Sequence, residues 1–121
     1  MTKSVLSTRL TYRVMGYDAG LVARIEDALV GIGERSVRQR NVFGGRGFLC
    51  SRSTFAIAYD DQLIVKLPRA DYERCLALTG VRPFAPGDEK PMTTWVVVSA
   101  EAIAEDPELR DWLRLGLKAL L

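Results

Sequence analysis

The stretch Phe43-Gly44-Gly45-Arg46-Gly47-Phe48 decides the fold that we predict for this chain. Glycine adopts positive φ angles and lets another segment of backbone approach closely. Apolar residues flank the three glycines on both sides, so the stretch predicts a sharp connection between two strands. An anion-binding loop is the alternative, but a nucleotide-binding fingerprint needs a helix directly after its glycines. The next helical pattern begins only near Arg69.

A helix and a strand are predicted before this connection. Asp18 is a good N-cap, and apolar residues then recur at helical spacing, which predicts an amphipathic helix over about residues 19–30. The residues Val37 to Phe43 predict a first strand. We expect Arg38 and Arg40 to share one face of that strand, because alternate side chains point the same way.

Three further strands and an aspartate turn are predicted after the connection. Residues 48–50 form a short second strand, residues 54–59 a third and residues 62–67 a fourth, which is almost wholly apolar. Asp60-Asp61 joins the last two as a tight hairpin turn. We expect the third strand to direct one set of side chains to one face (Phe55, Ile57 and Tyr59) and two alanines to the other, where a helix can pack closely.

The C-terminal half is predicted to add helices on either side of one more strand. Pro68 helps to start a helix that ends near Gly80. Residues 81–90 are predicted as a loop with Phe84 as its one large anchor, and residues 93–98 as the fifth strand. Ser99 caps a short helical turn, and Asp106-Pro107-Glu108 starts the last helix with Asp106 as N-cap.

This order of elements predicts an α+β fold. The chain alternates as α-β-β-β-β-α-β-α, which is typical of a helix–antiparallel sheet–helix sandwich. At 121 residues the chain is expected to be one domain, residues 15–121, after a basic and flexible tail over residues 1–14. The alternatives for residues 1–14 are an extra edge strand through Leu10-Thr11-Tyr12-Arg13-Val14 and an upstream extension of the true start. We expect Cys50 and Cys75 to be free thiols in a reducing cytoplasm, and no apolar stretch is long enough to span a membrane.

The residue types that most enzymes need are scarce. The chain contains no histidine, which excludes Ser-His-Asp and Cys-His catalysis and removes the commonest metal ligand. We therefore expect no enzyme activity, no metal and no cofactor. Lys66 lies in an apolar strand, where its pKa could be lowered or its amine could reach solvent.

Arginines cluster on both sides of the glycine connection. Arg35 is the first of them, and the cluster continues with Arg38, Arg40, Arg46 and Arg52. Such a cluster attracts an acidic protein or a nucleic acid. Charged side chains on a strand edge also discourage unwanted pairing, which is the alternative without a ligand.

Five segments of the chain match the pattern of a known family. They are Val42-Phe43-Gly44-Gly45-Arg46-Gly47, Phe55-Ala56, Asp60-Asp61-Gln62-Leu63-Ile64-Val65-Lys66, Pro83-Phe84 and Pro91-Met92-Thr93-Thr94-Trp95-Val96. In these segments the chain resembles the N-terminal domain of the TfoX/Sxy competence regulators. The resemblance covers Tyr17 to Leu121, with valine at position 42 where the family usually has methionine and Ser53 where it often has glycine.

The resemblance implies a fold like that of secretion chaperones and YjbR-like proteins, in a bacterial cytoplasmic protein. In the founding members this domain promotes transcription of DNA-uptake genes with a partner activator, and a C-terminal helical domain follows it. Our leading hypothesis is a non-enzymatic regulatory module that binds a protein partner or a second copy of itself. The expected contact residues are Arg38, Arg40, Arg46, Arg52, Phe84 and Trp95. Nucleic-acid binding through the arginines and ligand binding at residues 44–47 are the alternatives.

Overall fold

A computed structural model describes residues 16–86 and 90–121. Within them, three α-helices accompany six strands. The helices are α1 (Ala19–Gly31), α2 (Arg69–Leu76) and α3 (Asp106–Lys118); the strands are β1 (Val37–Val42), β2 (Gly45–Cys50), β3 (Ser53–Tyr59), β4 (Gln62–Lys66), β5 (Val81–Pro83) and β6 (Trp95–Val98). A 3-10 turn covers Glu101–Ile103. The predicted tail over residues 1–14 lies outside the described residues.

The strands form one sheet in the order β1-β2-β3-β4-β6-β5, and neighbouring strands are antiparallel. The predicted α+β fold with an antiparallel sheet and flanking helices is confirmed. Strand β5 was not predicted, because Pro83 and the following proline and glycine indicate a loop. A proline is tolerated there because β5 is an edge strand, whose outer N–H groups need no partner in the sheet.

The two long helices begin differently. The Asp18 carboxylate accepts the Gly20 N–H at 2.8 Å and caps α1, as predicted. The predicted cap of α3 is wrong, because Glu105 occupies the cap position and makes no side-chain cap bond. Asp106 instead accepts hydrogen bonds from Arg24 of α1 at 3.0 Å and 3.3 Å. The Asp106 carboxylate, which the sequence pattern assigns to the helix cap, thus binds Arg24 of the neighbouring helix instead.

The main core lies between the sheet and the helices, and we call this side of the sheet the helix face. Its buried members from the strands are Phe48, Phe55, Ala56, Ala58, Leu63, Val65, Val96 and Val98; those from the helices include Leu21, Ile25, Leu29, Cys75, Leu109, Trp112 and Leu113. Gly116 of α3 lets the helix approach β3 and β4, since a Cβ there would lie 3.0 Å from side-chain carbons of Phe55 and Val65.

A β-bulge places Phe55 in this core. Phe48 pairs with Ala56, whereas the next residue, Leu49, pairs with Thr54, so Phe55 has no residue opposite it on β2. An extra residue in one strand reverses the alternation of side chains beyond it. Phe55 therefore lies on the helix face beside Ala56, and the prediction that Phe55 and Ile57 share a face is wrong.

The opposite side, the second face, carries a small cluster of its own. Ile57, Ile64 and Val97 are buried there, and none of the described helices contributes a residue to the cluster. The rings of Phe43 and Phe84, from opposite edges of the sheet, have centroids 6.0 Å apart. A flat six-stranded sheet would hold its edges about 24 Å apart at about 4.8 Å per strand. The sheet is therefore strongly curled, and its second face is concave.

Candidate functional site

The glycine stretch forms a hairpin turn and the start of a strand. Phe43 and Gly44 have φ angles of 55° and 82°, as a two-residue type I′ turn requires. Strand β2 begins at Gly45, three residues before the predicted start at Phe48, and pairs with β1 on one side and β3 on the other. The predicted turn is confirmed. The backbone of residues 45–47 is part of the ladder and does not form a nest of free N–H groups for a ligand.

Gly47 shapes the surface beside this turn. A Cβ at Gly47 would lie only 2.6 Å from Cγ2 of Val42, so a side chain does not fit at this position. Gly47 is the direct neighbour of Arg40 in the register of β1 and β2. Arg40 consequently has no β2 side chain directly beside it, and the Val42 side chain occupies the space over Gly47.

Three arginines surround a depression farther along β1 and β2, and we call them the arginine surface: Arg38, Arg40 and Arg52. Arg38 and Arg40 alternate along β1 on the second face, and Arg52 lies in the turn between β2 and β3. All three are exposed and line a depression of about 490 Å³. Leu49, which is 6% exposed, and Ser51 also line it. Within residues 16–86 and 90–121, none of the three arginines forms an ion pair.

Arg46 does not belong to the arginine surface, although the sequence hypothesis included it. It lies on the helix face, where its guanidinium donates to the side-chain oxygens of Gln39 at 2.9 Å and Asn41 at 3.1 Å. The Gln39 amide in turn donates to Glu26 of α1 at 2.7 Å. Arg35 is also separate, since it lies in the link between α1 and β1 and lines a different depression.

The two aromatic candidates are structural rather than freely exposed. Phe84 and Trp95 are half-buried and pack against Ile57, Ile64 and Val97. Phe43 is 63% exposed and lies at the tip of the β1–β2 hairpin. The sequence identified Phe43 only as a turn residue. Its positive φ angle is an unusual conformation for a bulky side chain.

The aspartate pair, the strand lysine and the two cysteines are the remaining candidates from the sequence. Asp60-Asp61 forms the predicted hairpin turn, and the Asp60 N–H donates to the carbonyl of Gly16 at 2.9 Å. Lys66 is half-buried opposite Trp95. Burial raises the pKa of the Cys50 thiol, and the nearby Glu34 carboxylate raises it further. Burial also raises the pKa of Cys75. Both thiols therefore stay protonated at neutral pH, which makes them poor nucleophiles.

Two features are absent from the part of the chain that the structure describes. In residues 16–86 and 90–121, no three cysteine, aspartate or glutamate side chains come together as a metal site. Over the same part of the chain, no helix has the length and apolar character that crossing a membrane requires.

Comparison with known proteins identifies the family of this chain. Searches of curated proteins and of solved structures each return no significant match. A family model, described as the TfoX N-terminal domain, matches residues 28–120. The match begins within α1, ends after α3 and includes the whole arginine surface. Since the model covers well over half of the sequence, the chain belongs to the TfoX N-terminal domain family.

Proposed function

We propose that this protein is a non-enzymatic regulatory module that binds an acidic segment of a protein partner through the arginine surface. The observation that carries the proposal is the set of three exposed guanidinium groups around one depression, with no carboxylate paired to them among the described residues. An arginine fork binds carboxylates with good geometry, so this surface is complementary to aspartate and glutamate.

Three arginines on the helix side of the molecule provide a contrast. Arg24, Arg74 and Arg114 each pair with an aspartate of this chain, at 3.0, 2.7 and 3.1 Å. Among the described residues, Arg38, Arg40 and Arg52 have no such acid beside them, and a partner can supply it. We place this role in the control of transcription, because the founding members that the sequence resembles act there together with a partner activator.

A nucleic acid is a different occupant for the same arginines, and the structure favours a protein. The net charge of the chain is only +2, and the arginine surface is one depression rather than a long basic stripe. Proteins that track a phosphate backbone usually present many cations along one face. A hollow lined by three guanidinium groups fits a short acidic segment better.

The test is affinity purification from the native cell with three forms of the tagged protein. The forms are wild type, the triple variant Arg38→Glu, Arg40→Glu and Arg52→Glu, and a control with Arg69→Glu, Arg114→Glu and Lys118→Glu. The control shifts the net charge by the same amount but changes α2 and α3. We expect wild type and the control to recover the same amount of one protein partner. The triple variant should recover at least about tenfold less of it, because glutamates at these positions repel an acidic partner that the arginines attract.

Two results would overturn the proposal. One is equal recovery of the partner by the triple variant and the control. The other is recovery that disappears after nuclease treatment and falls steeply with salt, which would identify a nucleic acid as the occupant.

A further inference from the structure

Strand β1 is an open edge of the sheet. It stands at the end of the strand order and pairs through all six of its residues with β2 alone among the described strands. The opposite edge, β5, has three residues and ends in Pro83. Short edge strands and prolines are common ways to prevent further pairing. Strand β1 is longer and contains no proline, and no other described strand pairs with its outer backbone groups.

The hairpin register determines which of these groups point outward. Val42 and Gly45 flank the two-residue turn and form a hydrogen-bonded pair. Hydrogen-bonded and non-bonded pairs alternate in an antiparallel ladder, so Arg40 and Arg38 also direct their N–H and C=O groups to β2. The position of the Arg40 carbonyl oxygen supports this register, because it lies on the β2 side, 3.3 Å from where a Cβ on Gly47 would be. The backbone groups of residues 37, 39 and 41 therefore face the open edge.

We propose that β1 accepts an extended acidic segment of the partner as an added antiparallel strand, a mode of recognition that rests on the proposed function. Main-chain hydrogen bonds from residues 37, 39 and 41 would hold the added strand, and its side chains opposite Arg38 and Arg40 would lie on the second face. An acidic residue at every second position then meets both arginines. Antiparallel addition continues the pattern of every described strand pair.

The arginines also select against a second copy of this chain. If two β1 strands paired, Arg38 and Arg40 of one copy would face arginines of the other. Like charges directly opposite one another destabilise a strand pair. The same side chains thus repel a basic strand and attract an acidic one. The arginines can therefore both prevent unwanted strand pairing and bind an acidic partner.

The register makes a sharp prediction for a probe peptide. The probe is a fluorescein-labelled peptide of alternating glutamate and threonine, with its glutamates opposite Arg38 and Arg40. In an antiparallel pair, residues opposite positions 37, 39 and 41 donate their N–H groups to β1, and in this probe those residues are the threonines. Methylating the threonine amides removes the donors, whereas methylating the glutamate amides changes N–H groups that point away from β1.

We expect wild-type protein to bind the unmodified peptide and the glutamate-methylated peptide, and to bind the threonine-methylated peptide at least about tenfold more weakly. Binding is measured by fluorescence anisotropy at low salt. Hydrogen exchange of the Gln39 and Asn41 amides should slow in the complex. Equal binding of the two methylated peptides, or no binding of the unmodified one, would overturn strand addition.

Failure of this inference can be told from failure of the proposed function. If the two methylated peptides bind equally while the arginine triple variant still loses the native partner, the arginine surface stands and strand addition is wrong. If the triple variant also keeps the native partner, both are wrong.

Discussion

The two faces of the sheet differ in what covers them. On the helix face, three helices pack on a large core that includes Phe48 and Phe55, both fully buried. On the second face, three apolar side chains are enclosed by Val42, Phe84 and Trp95, and the arginine surface lies beside them. The helix face therefore supplies most of the stability. The arginines on the β1 side of the second face are exposed and lie outside both apolar clusters, which suits a binding surface.

Matched phenylalanine truncations should give the largest difference between the faces. Phe55 is fully buried against α3, so we expect Phe55→Ala to lower the free energy of unfolding by about 3–5 kcal/mol, from lost burial and the cavity left behind. Urea unfolding followed by circular dichroism measures this. A loss below about 1 kcal/mol would contradict the placement of Phe55 in the bulge and the core.

Phe84→Ala makes the same chemical change on the second face. Phe84 is only half-buried and covers a smaller cluster, so we expect a loss of about 1–2 kcal/mol in the same unfolding assay. A cost equal to that of Phe55→Ala would show that the second face contributes as much stability as the helix face.

The contact between α1 and α3 is expected to contribute less to the unfolding free energy than the buried phenylalanine does. Arg24 donates to the carbonyls of Ile103 and Ala104 and to the Asp106 carboxylate. We expect Arg24→Ala to cost about 1 kcal/mol, since the carbonyls lose a charged donor. Asp106→Ala should cost less, because an exposed ion pair contributes little and the two carbonyl contacts remain. Urea unfolding of both variants measures the two losses in unfolding free energy. A larger loss for Asp106→Ala than for Arg24→Ala would contradict the view that the carbonyl contacts of Arg24 contribute more than its ion pair.

Charge reversal at the arginine surface should have the smallest effect on stability. Arg38, Arg40 and Arg52 are exposed and make no ion pair within the described residues, so we expect the triple glutamate variant to unfold within about 0.5 kcal/mol of wild type. The midpoint of urea unfolding measures this. A substantial loss would mean that these arginines support the sheet, and loss of partner binding would then have a structural explanation.

Local signals explain what the sequence predicted correctly. Asp18 and the apolar spacing after it define α1, and the glycines and the aspartate pair define two hairpin turns. These features depend on a few neighbouring residues, so a single sequence contains them. The same patterns, with the arginines at alternate positions of β1, also predicted two members of the arginine surface on one face.

The features that the sequence missed depend on contacts between distant segments. The bulge at Phe55 is defined by its register with β2, and nothing in residues 53–59 marks it. Arg46 is two residues before Phe48 in β2 and so shares the helix face with it, where Gln39 and Asn41 of the neighbouring strand hold its guanidinium. The predicted β2 began only at Phe48, so the sequence did not place Arg46 in a strand. The spacing of arginines along the chain cannot show that β2 directs this one away from Arg40.

The central claim is that Arg38, Arg40 and Arg52 bind an acidic partner, and one comparison tests it most directly. It measures how much native partner is recovered by the Arg38→Glu, Arg40→Glu and Arg52→Glu variant relative to the charge-matched variant on α2 and α3. We predict that recovery falls about tenfold or more for the first and stays at the wild-type level for the second. Equal recovery by both folded variants would contradict the account.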